Sequence, residues 1–413
     1  MEEKDLIGQD VCVYDIETKT FGKPDATKDV LRFFGCYSYK TKKFYLLTDR
    51  EQVQKVINAH RFLVGFNNKE YDNPILLRSG IDLNYKVIID LREVFKKRCN
   101  IIKIKEGIIG DLLMEYSLKF IAKTIHLVSD EDNKKEIDYQ IFNKDKWTTE
   151  ELKEIYDYTR RDIEVTKKMY DWIEDYFSSF KDYLNEKDKG RKIYITSSPA
   201  TFTYKAICHE MGWSDEMAHE EMNAEHDRIS GGYVAYPAGE FFENDMAMYD
   251  FSSLYPNIFI QCNLFSHSCD CCKQDEKWNG KGFFNITGYY CTKKHGKIEE
   301  LYKKLYLLRR EYIKSGDHKA YALKIILNTG YGITDNPVFI KMYNKIGAGD
   351  CTAIGRQCIL YTRKRFKEEG YINIMSDTDS ICVKIPEGKT VEDSNRLAKK
   401  IVEELQQFMP FPW

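Results

Sequence analysis

Two aspartates at the edges of apolar runs mark one centre of chemistry: Asp250-Phe-Ser-Ser-Leu-Tyr-Pro and Ser376-Asp-Thr-Asp-Ser. Between them, Lys324-Ile-Ile-Leu-Asn-Thr-Gly-Tyr-Gly sets Lys324 and Asn328 four residues apart, on one helical face. Carboxylates converging from separate strands offer hard oxygen ligands to Mg²⁺, and a basic helix beside them offers charge to phosphates. That combination suits two-metal phosphoryl transfer onto a nucleotide chain. A second set of carboxylates lies in the N-terminal third, in Asp15-Ile-Glu17-Thr, Asn67-Asn-Lys-Glu-Tyr-Asp72 and Tyr158-Thr-Arg-Arg-Asp162. Asp15, Glu17, Asp72 and Asp162 could hold two metals about 3.5–4 Å apart. Tyr158, one helical turn from Asp162, can orient a water there. Singly these signals are weak, because Asp-Thr-Asp is commonly a turn and a lysine-rich helix face is commonly just solvated. Their joint occurrence in this order carries the reading.

The elements that must position these residues are legible. Asp10-Val-Cys-Val-Tyr-Asp-Ile-Glu reads as a buried strand, and Val30 to Leu47 as two strands around Lys40-Thr-Lys-Lys. Glu51 to Ala59 and Asn73 to Ser79 read as short helices. Thr148 and Glu151 form a capping-box pattern that opens a long helix to about Phe177. The polar stretch Asn185-Glu-Lys-Asp-Lys-Gly-Arg-Lys reads as a linker. Beyond it, Tyr233 to Gly239 and Met246 to Ser253 read as strands. Gly296 to Lys314 and Lys319 to Tyr331 form a helical hairpin around Ser315-Gly-Asp. A helix from Ala353 to Glu369, a strand hairpin from Ile372 to Val383 and an amphipathic helix from Arg396 to Phe408 complete the pattern.

The length of 413 residues allows two or three domains. A formal net charge of −2 removes the simplest sign of a nucleic-acid binder, a globally basic surface. Charge is uneven, however: from Thr292 to Lys324, Lys and Arg outnumber Asp and Glu, so local patches can bind phosphates. The acidic, polar start Met-Glu-Glu-Lys-Asp is unlike a signal peptide, and no apolar run approaches a membrane span. The expectation is a cytoplasmic protein, in a host cell if the source is viral, with its twelve cysteines reduced and no membrane partner.

At these residues the chain resembles the family B DNA polymerases. Asp250-Phe-Ser-Ser-Leu-Tyr-Pro, Lys324-x-x-x-Asn328-Thr-Gly-Tyr331-Gly and Asp377-Thr-Asp379-Ser match the family's palm and fingers motifs in order, with Thr329 where Ser is usual. Gly231 to Tyr233 fits the Gly-Gly-Tyr that joins exonuclease and palm. The three acidic segments of the N-terminal third match the family's proofreading 3′–5′ exonuclease motifs. Met375-Ser376 departs from the usual Tyr-Gly without loss of a metal ligand.

The resemblance implies an α/β, RNase H-like exonuclease domain over residues 1–190. An α+β palm with an antiparallel sheet would span 191–295 and 336–413, with helical-hairpin fingers over 296–335. It further implies Mg²⁺ (or Mn²⁺) on Asp250 and Asp379 with Asp377 in support, and on the four exonuclease carboxylates. Arg310, Lys314 and Lys324 would grip the triphosphate, Tyr331 would lie near the nascent base pair, and Tyr255 would stack under the sugar and block a 2′-hydroxyl. The partners implied are primer–template DNA, deoxynucleoside triphosphates, and a clamp or other replication proteins.

Two features fall outside the resemblance. Cys269, Cys272, Cys291 and His295 read C-x₂-C-x₁₈-C-x₃-H, an acceptable zinc spacing, with Cys271 left over; free thiols on a loop are the alternative. Only a short segment follows Ser380, so no thumb is expected in this chain, and a second polypeptide would supply it. The compact plan suggests a phage or other viral replicase in split or truncated form. Two alternatives stay open: a fragment active only as a 3′–5′ exonuclease, and a non-catalytic DNA-binding subunit. The second fares worse because both acidic sites are intact.

Overall fold

A computed structural model describes residues 10–96, 117–129, 137–218, 230–236, 245–266, 269–317 and 319–413. The chain separates into two compact units, Met1–Lys181 with Glu186–Thr196, and Asp182–Asn185 with Ser197–Trp413. No helix among the described residues is long and apolar enough to cross a membrane.

The first unit is built on a five-stranded sheet. Its strands are β1 (Val11–Lys19), β2 (Val30–Ser38), β3 (Lys43–Leu47), β4 (Phe62–Gly65) and β5 (Val87–Asp90), in the order β3-β2-β1-β4-β5. β1, β2 and β3 pair antiparallel, and β4 and β5 add in parallel. Helices α1 (Arg50–Asn58) and α2 (Asp72–Arg78) belong to the parallel half, whose crossovers need them. Tyr14 and Ile16 point into a core with Phe34, Leu63, Ile75 and Leu76. Asp15 and Glu17 therefore point to the opposite face of β1. The 28-residue helix α4 (Thr149–Tyr176) packs across that side, after the shorter α3 (Leu118–Thr124). α4 begins with the expected capping box, Thr148 Oγ1 accepting from Glu151 N at 3.2 Å and Glu151 Oε2 from Thr148 N at 2.9 Å.

The lysine-rich stretch read as a linker folds instead. Glu186–Lys189 forms a helical turn, and Lys192 is 1 % exposed with its Nζ 3.0 Å from Glu174 Oε1. A buried ammonium must be paired, and Glu174 ties this segment to α4.

The second unit opens with α5 (Pro199–Met211) and carries an antiparallel sheet, order β6-β8-β9-β7, from β6 (Val234–Ala235), β7 (Met246–Asp250), β8 (Ile372–Asp377) and β9 (Ser380–Lys384). Of the strand expected over Tyr233 to Gly239, Val234–Ala235 is strand, and residues from 237 on lie outside the described residues. Helices α6 (Leu254–Cys262), α7 (Lys297–Ser315), α8 (Lys319–Thr334), α9 (Lys345–Glu368) and α10 (Val391–Gln406) complete the unit. Leu254, Ile258, Ile354, Cys358, Phe366, Ile381, Val383 and Ile401 form its core. On β7, Ala247 and Tyr249 turn to that core, so Met246, Met248 and Asp250 share the open face. α7 and α8 form the expected helical hairpin, and their contact is tight: a Cβ on Gly330 would sit 1.8 Å from the Tyr302 hydroxyl. α9 starts at Lys345 rather than near Ala353, because Asn344 caps it by accepting from Gly347 N at 3.0 Å.

Candidate active sites and a cysteine cluster

In the first unit all four expected carboxylates converge. Asp15 and Glu17 project from β1, Asp72 from the first turn of α2 and Asp162 from α4. Asp15 is hydrogen-bonded to Asp72, and desolvation with the nearby charge of Asp162 pushes its carboxyl up to about 7. Desolvation, then the charge of Asp15, raises both Glu17 and Asp72, and desolvation raises Asp162. A cluster of buried like charges is the arrangement that bound divalent cations would neutralise. The Tyr158 hydroxyl bonds to Asp162, as its one-turn spacing predicts, and lies 3.0 Å from the Tyr139 hydroxyl.

Three supporting residues escaped sequence reasoning. Thr159 Oγ1 donates to Glu17 Oε1 at 3.0 Å and fixes its rotamer. Gly35, paired with Asp15 across β1 and β2, admits α4: a Cβ there would lie 2.4 Å from Thr159 Cγ2. Asp90, at the end of β5, accepts from Asn67 N at 3.0 Å, Lys69 N at 3.1 Å and Arg92 N at 2.9 Å, pinning the loop that leads into Asp72. That loop turns at Asn67, whose φ is 62°, a conformation Asn tolerates better than most residues.

In the second unit Asp250 ends β7 opposite Ser380, and Phe251 N donates to Asp379 O at 2.8 Å. Both aspartates line a cleft of about 380 Å³ with Ser252, Ser253, Tyr255, Arg309, Lys324, Asn328 and Thr378. Partial desolvation raises both carboxyls; the charge of Asp250 raises Asp379 further, and Lys324 opposes both shifts. Strict strand alternation would put Asp377 and Asp379 on one face. Instead Thr378 and Asp379 form the two-residue turn of the β8–β9 hairpin, with Thr378 at φ 53°. Asp377 turns away, accepting from Thr378 Oγ1 at 3.0 Å and from the Tyr236 hydroxyl at 3.3 Å.

The Gly-Gly-Tyr segment braces this turn. Tyr233 O accepts from Thr378 N at 2.9 Å, and a Cβ on Gly232 would sit 2.8 Å from Thr378 Cγ2. Arg356 on α9 holds the segment in turn, donating to Ser230 O at 2.7 Å and Gly231 O at 2.8 Å. Ser376, where the sequence departs from the usual glycine, is fully buried and accepts from Arg363 Nη1 at 3.0 Å, which ties β8 to α9.

Of the expected cations, Lys324 lines the cleft, with Asn328 one turn along α8. Arg309, not Arg310, joins them, its Nη1 3.0 Å from Ser253 Oγ. Arg310 lines an adjoining groove beside Asp250, Phe251 and Tyr306, and Lys314 is exposed one turn further along α7. Neighbours on a helix lie about 100° apart, and spacing alone could not choose between Arg309 and Arg310. Tyr255 and Tyr331 pack with ring centroids 4.9 Å apart. A Cβ on Gly355 would lie 3.0 Å from Tyr255 Cε1, so α9 backs the Tyr255 ring closely.

The cysteine cluster differs from the expected ligand set. Cys269, Cys271, Cys272 and Cys291 come together, and His295 does not join them. The Nε2 of His295 is 2.7 Å from Ile260 O, and its ring packs on Phe411. The cause is Asn263, whose amide donates to Cys291 O at 3.0 Å and Lys294 O at 3.1 Å, and whose Oδ1 accepts from Gly296 N at 2.8 Å. That bracket sets the backbone of 291–296 with the imidazole turned toward α6.

Comparison with known proteins agrees with this architecture. Residues 194–305 match DNA polymerase family B, and residues 12–174 match the RNase H superfamily. The chain is 24% identical over 454 residues to a DNA polymerase delta catalytic subunit of Plasmodium falciparum, covering 94% of this chain and 41% of that protein. It is 32% identical over 188 residues to a DNA polymerase of Archaeoglobus fulgidus, covering 43% of this chain and 24% of that protein. The structure of the family B DNA polymerase from Pyrobaculum calidifontis superposes with a TM-score of 0.63 at 17% identity, over 95% of this chain and 55% of that one. The chain thus spans less than half the length of these two curated relatives.

Proposed function

We propose that this relative of the family B DNA polymerases extends a DNA primer on a template and removes nucleotides from the 3′ end at a second site. The observation that carries the reading is the meeting of Asp250 and Asp379 in one cleft with Lys324, Arg309 and Asn328. Two partly desolvated carboxylates facing a basic helix hold a surplus of negative charge beside a phosphate-binding surface, and that fits divalent cations such as Mg²⁺ or Mn²⁺. Bound there, the cations would acidify the primer 3′-hydroxyl and neutralise charge on the leaving pyrophosphate.

The chain's own residues do the rest. Lys324 and Arg309 hold the triphosphate, and Asn328 extends that polar face of α8. The primer 3′-oxygen bonds to the α-phosphorus, its proton passes to solvent, and pyrophosphate departs. In the first unit Asp15, Glu17, Asp72 and Asp162 would hold the cations. Tyr158, steadied by Tyr139, orients a water toward the terminal phosphodiester, and the bond to the 3′-oxygen breaks. Asp377 shapes the turn that presents Asp379.

The test is a labelled primer annealed to a longer template, incubated with this chain and Mg²⁺, and repeated with a polypeptide supplying thumb and clamp functions. With all four deoxynucleotides the primer should lengthen; without them it should shorten from its 3′ end. Shortening without extension in both arms would leave a nuclease alone, and neither reaction would leave a DNA-binding subunit.

Sugar selection follows from Tyr255, held between Tyr331 and α9. Its ring takes the volume a 2′-hydroxyl would need. Tyr255→Ala should relax discrimination against ribonucleotides by about 10- to 200-fold, the range that one pocket contact controls. Competition between ATP and dATP measures it, and an unchanged ratio would refute the gate.

A further inference from the structure

We infer that Cys269, Cys271, Cys272 and Cys291 bind one zinc ion as four thiolates, at a structural site that shares no residue with the Asp250–Asp379 cleft. The four sulfurs all lie within 4.8 Å of one another. Cys269 and Cys272 are 3.2 Å apart, Cys269 and Cys271 3.4 Å, and Cys271 and Cys291 3.1 Å. Sulfurs about 2.3 Å from a tetrahedral zinc are about 3.8 Å apart, so these distances bracket a closed four-sulfur site. They are well above the roughly 2.05 Å of a disulfide, and each of these cysteines is free.

The surroundings fit a metal thiolate. Lys294 N points at Cys291 Sγ from 3.4 Å, the amide-to-sulfur contact that stabilises a thiolate. Four thiolates around Zn²⁺ leave a net charge of −2. Lys277, its Nζ 3.0 Å from Cys269 O, supplies compensating charge. Binding releases the four thiol protons to solvent.

The site has a mechanical consequence. Cys291 leads into the Asn263 bracket, and Asn263 is the C-cap of α6, which follows Asp250; Gly296, the N-cap of α7, closes the bracket. Zinc would therefore fasten the 269–291 excursion to the junction of α6 and α7. Trp278 and Tyr290 bridge within that excursion, and Trp278 Nε1 donates to Phe408 O at 3.0 Å.

The test is metal analysis of the full purified chain after exposure to Zn²⁺ and gel filtration. Wild type should carry about one zinc per chain. Cys271→Ser, at an exposed position, should lose stoichiometric zinc, whereas His295→Ala should keep it. Retention by Cys271→Ser or loss by His295→Ala would overturn the four-sulfur set. A zinc-free wild type, or Cys269 and Cys272 recovered as a disulfide, would overturn the site. Should Cys271→Ser fail to fold, Co²⁺-loaded wild type decides: its charge-transfer absorption should report four thiolates, and three would overturn the assignment.

Discussion

Asp379→Ala should lower primer extension by at least about 10³-fold and leave 3′-end shortening at its wild-type rate. Removing a carboxylate that holds a cation at a phosphoryl-transfer centre forfeits several kcal/mol of charge stabilisation, and each 1.36 kcal/mol is tenfold in rate. Asp379 sits in the hairpin turn with its backbone tied to Phe251, so the substitution leaves the β7–β9 pairing intact. Partial desolvation, and then the like charge of Asp250, already penalise its carboxylate. The variant should therefore melt no lower than wild type in the absence of metal. Asp377→Ala should cost at least tenfold less than Asp379→Ala, because its carboxylate faces Thr378 and Tyr236. The carboxylates proposed for 3′-end shortening come from β1, α2 and α4, all in the first unit, and the hairpin belongs to the second. Rates of extension and shortening measured on the same preparation check this. Loss of both activities in Asp379→Ala would contradict two independent sites.

Much of this design is written in local sequence. The carboxylates of both sites sit in short contiguous patterns, and the strands and helices that carry them have clear periodicity, so Asp15, Asp72, Asp162, Asp250 and Asp379 could be named without coordinates. What stayed hidden depends on register between distant elements. Gly35 matters only because β2 puts it beside Asp15 and under Thr159, 124 residues along in the chain. Asp90 looks like any strand-end carboxylate until its oxygens meet the amides of Asn67 and Lys69. Arg309 and Arg310 are adjacent in sequence, and only the fold separates them, with Arg309 in the cleft against Ser253 and Arg310 in the adjoining groove. The cysteine cluster shows the same limit. The C-x₂-C spacing favoured His295 over Cys271, and the Asn263 bracket reverses that choice by fixing the backbone around Cys291. The expected start near Ala353 falls inside α9, because Gly347 and Gly349 weaken helical propensity ahead of it. Yet Gly347 is required, since a Cβ there would lie 2.8 Å from Leu264 O.

The substitution Asp15→Asn should eliminate 3′-end shortening while making the metal-free protein more stable at about pH 8. The sign follows from the direction of the shifts. Asp15 in the folded protein titrates near 7, above its usual range, and Glu17, Asp72 and Asp162 shift the same way. A raised carboxyl stabilises the fold below the unfolded-state pKa of about 3.9, and that contribution is lost as pH climbs through the folded-state value. Metal-free wild type should therefore lose melting temperature between about pH 4 and pH 8, as buried charges are forced to coexist. Asn keeps the shape and removes one charge, so the decline flattens. At about 2–4 °C per kcal/mol for a unit of this size, a gain of several degrees in EDTA is within reach of measurement. Mg²⁺ or Mn²⁺ should raise the wild-type melting temperature at that pH and should do little for Asp15→Asn, since one ligand is gone. Primer extension should be unaffected, because Asp250 and Asp379 lie in the other unit. A variant less stable than wild type in EDTA would show that Asp15 serves packing rather than cation binding. A full metal-induced rise in the variant would mean that the cations are held elsewhere.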